Sequence, residues 1–284
     1  MGKTITRNEL RSLGLLTLFL FAISYPAMIA AVFLHEVAGH GLVTALLGGD
    51  FNGFGVLVDG MGWAKVDVSM LSASGQALML AAGASVTSIA LLLMVAFAIR
   101  FRRNFFASTA LLVFALVFLG DGAPYFFWDA IYRGGIGDAS GILTLYPDPL
   151  LRILMIVGSG LVLAIGIVAF NVLLMQRIEE HMLPSDSSRI ARIIPAIILF
   201  ALQAVAWLAF DWTQLIPVPE IQFLPSLTAL ILTVLVLVVC VFMKKQTTAA
   251  SAPLRFGLPV SLACAAAVAT AVCVVVFLQN GVMF

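Results

Sequence analysis

Two histidines and a glutamate, His35, Glu36 and His40, stand within six residues of one another, inside an apolar stretch running from about position 13 to 47. Ionisable side chains are costly in hydrocarbon, so such a cluster in a membrane segment marks a functional site. Two imidazoles can ligate a divalent metal, and a carboxylate beside the first can take a proton from water, which is the residue set of a zinc hydrolase. The common helical form of that set is H-E-x-x-H, whereas this chain reads His35-Glu36-Val37-Ala38-Gly39-His40, one residue longer. On a regular α-helix, positions five apart point roughly 140° away from each other. The spacing therefore predicts a π-bulge at or near Gly39 that turns His40 back beside His35.

The elements that must hold these residues are read from composition. Of 284 residues 62% are hydrophobic and 10% charged, and the mean hydropathy is +1.13. A soluble domain carries about 25% charged residues. The expected fold is an all-α polytopic membrane protein with about seven transmembrane helices and a small β-hairpin after the motif helix. It forms one integral membrane domain over 1–284. The expected spans are 13–33 running on into the motif, then 72–99, 105–120, 150–175, 193–210, 221–243 and 257–278. The first apolar run is too long for a signal-peptide core and is read as retained. Pro26 is expected to kink it or to divide it in two.

Charge sets an orientation. With the N-terminus in the cytoplasm, Lys3, Arg7, Arg11, Arg100, Arg102, Arg103, Arg177, Arg189, Arg192, Lys244, Lys245 and Arg255 fall on the inner side, 12 of the 15 basic residues. Lys65, Arg133 and Arg152 remain. Acidic residues, Asp50, Asp59, Asp67, Asp121, Asp129, Asp138, Asp148, Asp211 and Glu220, collect in the outer connections. The bias of Lys and Arg to cytoplasmic loops supports this topology. An odd number of spans then places the C-terminus outside. A net charge of +1 gives no electrostatic reason to expect a nucleic-acid partner. Cys240, Cys264 and Cys273 lack ligand spacing and are read as packing or lipid-facing residues.

Three connections carry further expectations. In 53–66, two short β-type stretches flank Asp59-Gly60, a hairpin-turn pair. The stretch 121–149, rich in Gly, Asp and aromatic residues, reads as an ordered loop or re-entrant segment. The stretch 177–192, with Glu179, Glu180, His181 and Asp186, reads as a solvated inner linker in which His181 is exposed. Within the fourth span, Asn171 is expected to hydrogen-bond to a neighbouring helix. Trp207 and Trp212 are expected near an outer interface.

Leu34-His35-Glu36 and Gly39-His40-Gly41, on an early membrane helix followed by a Gly-rich hairpin, resemble the site-2-type intramembrane zinc metalloproteases. The resemblance spans about 13–143 and sets a metalloprotease-like core at 1–145 apart from additional transmembrane helices at 146–284. It implies a zinc ion held by His35, His40 and a later aspartate, with Glu36 as catalytic base. It implies transmembrane protein substrates, held as an extended strand by the hairpin. The longer motif resembles that of dipeptidyl-peptidase III, a soluble enzyme of another fold, which shows that this spacing can bind zinc. For the third ligand, Asp138 in Gly135-Ile136-Gly137-Asp138-Ala139-Ser140 is weighed first. Asp121, in Asp121-Gly122 before Pro124, is the alternative, and Asp129 follows.

The leading expectation is thus an intramembrane zinc endopeptidase in the lipid bilayer. A non-catalytic membrane scaffold or chaperone that retains the motif is the alternative, and the intact Glu36 argues against it. A metal-dependent lipid-modifying enzyme needs more than the three histidines present. A transporter needs polar residues along several spans, and the last three are almost uniformly apolar.

Overall fold

The structure is a computed structural model and describes residues 6–132, 137–183, 189–213, 224–243 and 254–284. Helix α1, Arg7–Phe33, begins in a capping box in which Thr6 and Glu9 satisfy each other's backbone N–H. It passes through Pro26 without dividing, enters a π-helical segment, Leu34–Gly41, and ends as the short α2, Leu42–Leu46. Together they make one 40-residue span, Arg7–Leu46. At 1.5 Å per residue that is about 60 Å, twice the roughly 30 Å of bilayer hydrocarbon. The span must therefore tilt or project.

Among the described residues, five helices are long and apolar enough to cross a membrane: Arg7–Leu46, Ala73–Arg100, Phe105–Ile131, Pro149–Met182 and Gly257–Leu278. The protein is an integral membrane protein. The other two expected spans fall in α7, Arg189–Thr213, and α8, Leu224–Phe242. Their described apolar stretches, Arg192–Val205 and Ala229–Phe242, are shorter than the roughly 20 residues a span needs. The count of seven is thus not reached among the described residues. Lys3, Arg133, Asp186, Glu220, Lys244 and Lys245, used above for orientation or as linker residues, lie outside the described residues, as do the side chains of Trp207 and Trp212.

Two expectations about connections are corrected. Helix α3, Ala73–Arg100, is followed by α4, Phe105–Tyr132, which does not stop at position 120. Asp121 and Asp129 are consequently helical residues, and each accepts hydrogen bonds from a buried partner. Most of 121–149 is helix, with α5, Asp138–Leu145, ahead of α6, Pro149–Met182. In the inner linker, the described residues 177–182 and 189–192 are helical and not a solvated loop. Helix α6 runs on to Met182, and Arg192 buries its guanidinium against Glu179, with Nε donating to Oε1 at 2.6 Å. The same guanidinium donates to the carbonyls of Cys240, Val241 and Met243 at the end of α8. His181 is half-buried, its ring 5.2 Å from that of Phe105.

Asn171 does bond between helices. It exchanges amide hydrogen bonds with Gln203 of α7, and Thr233 of α8 donates to the Gln203 oxygen at 3.0 Å. The main apolar core runs from α1 across α3, α4 and α6 to α7, α8 and α9, the last being Gly257–Cys273.

The hairpin forms as strands β1, Asp50–Val56, and β2, Gly62–Asp67. The Asp59-Gly60 turn is closed by Leu57 N–H donating to the Met61 carbonyl at 2.7 Å. Gly60 sits at φ +87°, a conformation that favours glycine. Beyond α9 and a second π-helical segment, Val274–Leu278, a strand β3, Val282–Met283, pairs antiparallel with the other edge of β1. Sheet order is β2-β1-β3, so β2 is an open edge. Phe284 continues the pairing through Asn52 and packs its ring 5.4 Å from that of Phe51.

Candidate metal centre

The π-helical segment solves the spacing problem set by the sequence. Hydrogen bonds from i to i+5 bring the fifth residue back over the first, and the His35 and His40 rings lie side by side with centroids 4.8 Å apart. The distortion is not confined to Gly39 but covers all eight residues of the segment. Gly39 has a different duty. A Cβ there would meet the backbone of Gly83 on α3 at 2.5 Å, so the two helices touch through bare backbone. Gly83 in turn lies under the His35 ring, and any side chain at that position would displace the imidazole.

Each imidazole is oriented through its Nδ1. His40 Nδ1–H donates to the main-chain carbonyl of Met79 at 3.0 Å, an acceptor that has no proton to give. His35 Nδ1–H donates to Asp121 Oδ2 at 2.9 Å. Both protons are thereby assigned to Nδ1, which leaves both Nε2 atoms as lone-pair donors to a metal. The two Nε2 atoms meet at Asp138, where Oδ2 is 3.3 Å from each. His35 and His40 are 7% and 8% exposed, and the Asp138 side chain 13%.

With both imidazoles neutral, the three atoms that face one another at that range are all acceptors. Asp138 Oδ2 is accordingly buried without a hydrogen-bond partner. A buried acceptor left so costs about 1–3 kcal/mol, more when charged. A cation at the convergence would satisfy all three. Zinc with ligands at about 2.0–2.1 Å in a tetrahedron sets its donor atoms roughly 3.3–3.4 Å apart, which the two nitrogen–oxygen separations of 3.3 Å match. Among the described residues, one group of three His, Cys, Asp or Glu side chains brings its ligand atoms within 4.8 Å of one another, His35, His40 and Asp138.

The other candidate aspartates stand elsewhere. Asp121 lies on the far nitrogen of His35, and Asp129 accepts from Ser140 at the start of α5; neither joins the three-residue group. Glu36 is half-buried, within coulombic range of His35, His40 and Asp138. Its Cγ abuts the position where Gly62 of β2 lacks a side chain.

A family model described as Peptidase M50B-like matches residues 12–216. The chain belongs to that family. This is the site-2-protease group that the motif resembles, and the match extends beyond the motif region through α6 and into α7. Searches of curated proteins and of solved structures return no match. Members of the M50 family are zinc metalloproteases.

Reading the sequence of this M50B-like peptidase missed the supporting groups: Gly83, the Met79 carbonyl, and the bonding of Asp121 and Asp129. One signal was available. The run Ala81-Ala82-Gly83-Ala84 is the small-residue composition that lets membrane helices approach closely. A main-chain carbonyl leaves no such trace.

Proposed function

We propose that this chain is an intramembrane zinc endopeptidase in which His35, His40 and Asp138 hold the metal and Glu36 is the general base. The observation that carries the reading is the meeting of three buried ligand atoms, two imidazole Nε2 atoms oriented through their Nδ1 bonds and one carboxylate oxygen. Membership of the M50B-like family supports the reaction class, and the spans support a substrate within the bilayer. A bound zinc ion supplies Lewis acidity toward a peptide carbonyl and makes water a nucleophile near neutral pH.

The remaining chemistry belongs to the chain. The Glu36 carboxylate takes the proton of the attacking water and returns it to the leaving amine. Asp121 and the Met79 carbonyl hold the imidazoles with Nε2 inward. The hairpin offers the substrate its β2 edge, since β3 covers the outer edge of β1. Counting alternation from the hydrogen-bonded Leu57–Met61 pair, the backbone groups of Gly62 and Ala64 point away from β1. Gly62 is beside Glu36. An extended substrate segment added there by strand pairing reaches the base directly. With a cytoplasmic N-terminus, the motif end of the first span lies toward the outer face.

Metal analysis of purified protein tests the reading. Wild type is expected to hold one zinc per chain, His40→Ala and Asp138→Ala to lose it, and Asp121→Ala to keep it with weakened affinity. Absence of stoichiometric zinc from the wild type would sink the proposal. Loss in Asp121→Ala with retention in Asp138→Ala would transfer the third ligand to Asp121.

A further inference from the structure

Asp138 is the only member of the three-residue group that is not on the first span, and it stands at the first position of an eight-residue helix. So short a helix is marginal by itself and takes its position from its surroundings. Three contacts supply that position. Asp129, near the end of α4, accepts from the Ser140 backbone N–H at 2.6 Å through Oδ2 and from the Ser140 hydroxyl at 2.7 Å through Oδ1. Ser140 Oγ also accepts from Gly137 N–H at 3.2 Å, which closes the first turn of α5. From α6, Arg152 donates through Nε to the Ala130 carbonyl at 2.8 Å and through its other guanidinium nitrogen to that of Ile131. The two carbonyls directly following Asp129 are thus tied to a third helix.

We propose that Asp129 is a positioning residue for the metal ligand Asp138, gripping α5 two residues beyond it so that Oδ2 points between the two imidazoles. The inference rests on the reading of Asp138 as a ligand. Both oxygens of Asp129 are engaged by one serine, a bidentate grip that fixes both the place and the roll of the helix. A roll of α5 about its axis would swing Asp138 away from His35 and His40, and the grip opposes that motion. Apolar packing adds to the grip. Ala130, Ala139 and Leu143 form a small local core with Phe126, Leu151, Met155 and Ile156 around it, and Gly141 of α5 seats against Leu80 of α3. Helix α4 then orients two ligands from its final turns. Asp121 holds His35 directly, and Asp129 holds Asp138 through Ser140. The two aspartates are eight residues apart, two turns along the helix and about 80° around it, so each reaches a different ligand. Arg152 braces the second of them.

The experiment measures zinc affinity by chelator competition and the visible absorption of the cobalt-substituted protein, on the full chain in detergent. Asp129→Ala is expected to weaken zinc roughly 10- to 100-fold, the usual cost of removing a group that orients a ligand. It is also expected to alter the cobalt spectrum at saturating metal, because the ligand geometry changes. Asp129→Asn, which keeps one acceptor oxygen, should recover part of the affinity. Ser140→Ala, which keeps the backbone donor, should lose less than Asp129→Ala and covers the case in which Asp129→Ala fails to fold. Wild-type affinity and an unchanged cobalt spectrum in Asp129→Ala or in Ser140→Ala, with only a lower melting temperature of the metal-free protein, would overturn the proposal. Asp138→Ala separates the two levels. If it retains wild-type affinity, the ligand assignment itself has failed and the positioning role falls with it.

Discussion

The front of the molecule, around His35, His40 and Asp138, and the back, around Asn171, Gln203 and Thr233, both bury polar groups between helices, yet they treat them in opposite ways. At the back every donor meets an acceptor. Gln203 spends its amide protons on Asn171 and the Leu199 carbonyl, and its oxygen accepts from Asn171 and Thr233. Arg192 likewise spreads its donors over Glu179 and three carbonyls. At the front the donors are turned outward, to Met79 and Asp121, and three acceptors are turned inward to face each other. A closed network holds helices together. An open convergence of lone pairs has a use only when a cation or a substrate completes it. The comparison shows how a function can be separated from a structural lock when both are buried and polar.

That contrast can be broken by substitution. The largest effect is expected for Glu36→Gln, which removes the base and leaves the metal-holding set intact. Turnover of a membrane substrate should fall about 10²- to 10⁴-fold while zinc content stays at the wild-type level. Equal activity in this variant would remove the front from the catalytic side of the comparison. Next comes Arg192→Leu at the back, which leaves Glu179 buried without its partner. Stability should drop by about 3–5 kcal/mol, read as a lowered melting temperature, with zinc affinity unchanged. Coupled loss of zinc would show that the back is no independent lock.

A smaller effect is expected at the hairpin. Ala64→Pro deletes an outward-pointing N–H on the open edge of β2 but spares the pairing with β1, a placement proline tolerates. Substrate cleavage should fall about tenfold, one lost hydrogen bond's worth, and zinc content should hold. A variant that cleaves normally would show that substrates do not use that edge. The smallest is Asn171→Leu, which strips Gln203 of one partner and should cost about 1 kcal/mol. Adding Gln203→Leu and Thr233→Val should return most of that loss, since apolar groups then replace all three members of the network.

How much of the fold and the site is legible in the sequence depends on what each element contributes to it. The chemistry of His35, Glu36 and His40 is legible, because ionisable residues in an apolar run are too costly to keep unless they bind or react. So is the need for a π-type distortion, which follows from spacing alone. The turn at Asp59-Gly60 carries its own composition. The extent of α4 is not legible. Hydropathy ends the span where Asp121 begins. The helix continues because tertiary bonds receive its polar groups, Asp121 by His35, Asp129 by Ser140 and two late carbonyls by Arg152. The burial of Arg192 is hidden for a similar reason. Its partners are carbonyls at the end of α8, and main-chain atoms have no signature in a sequence. Strand β3 is two residues long, too short for any alternation to be read.

That strand bears on the order in which the protein is made. The motif helix leaves the ribosome ahead of α3 to α9, and its hairpin follows at once. The edge of β1 stays uncovered until Val282 and Met283 arrive, behind α9. A nascent chain therefore enters the membrane with the motif already present but with the sheet beside Glu36 unfinished. Completion of the sheet waits for more than two hundred further residues after the hairpin, so assembly itself delays the moment at which the hairpin has a single free edge to offer.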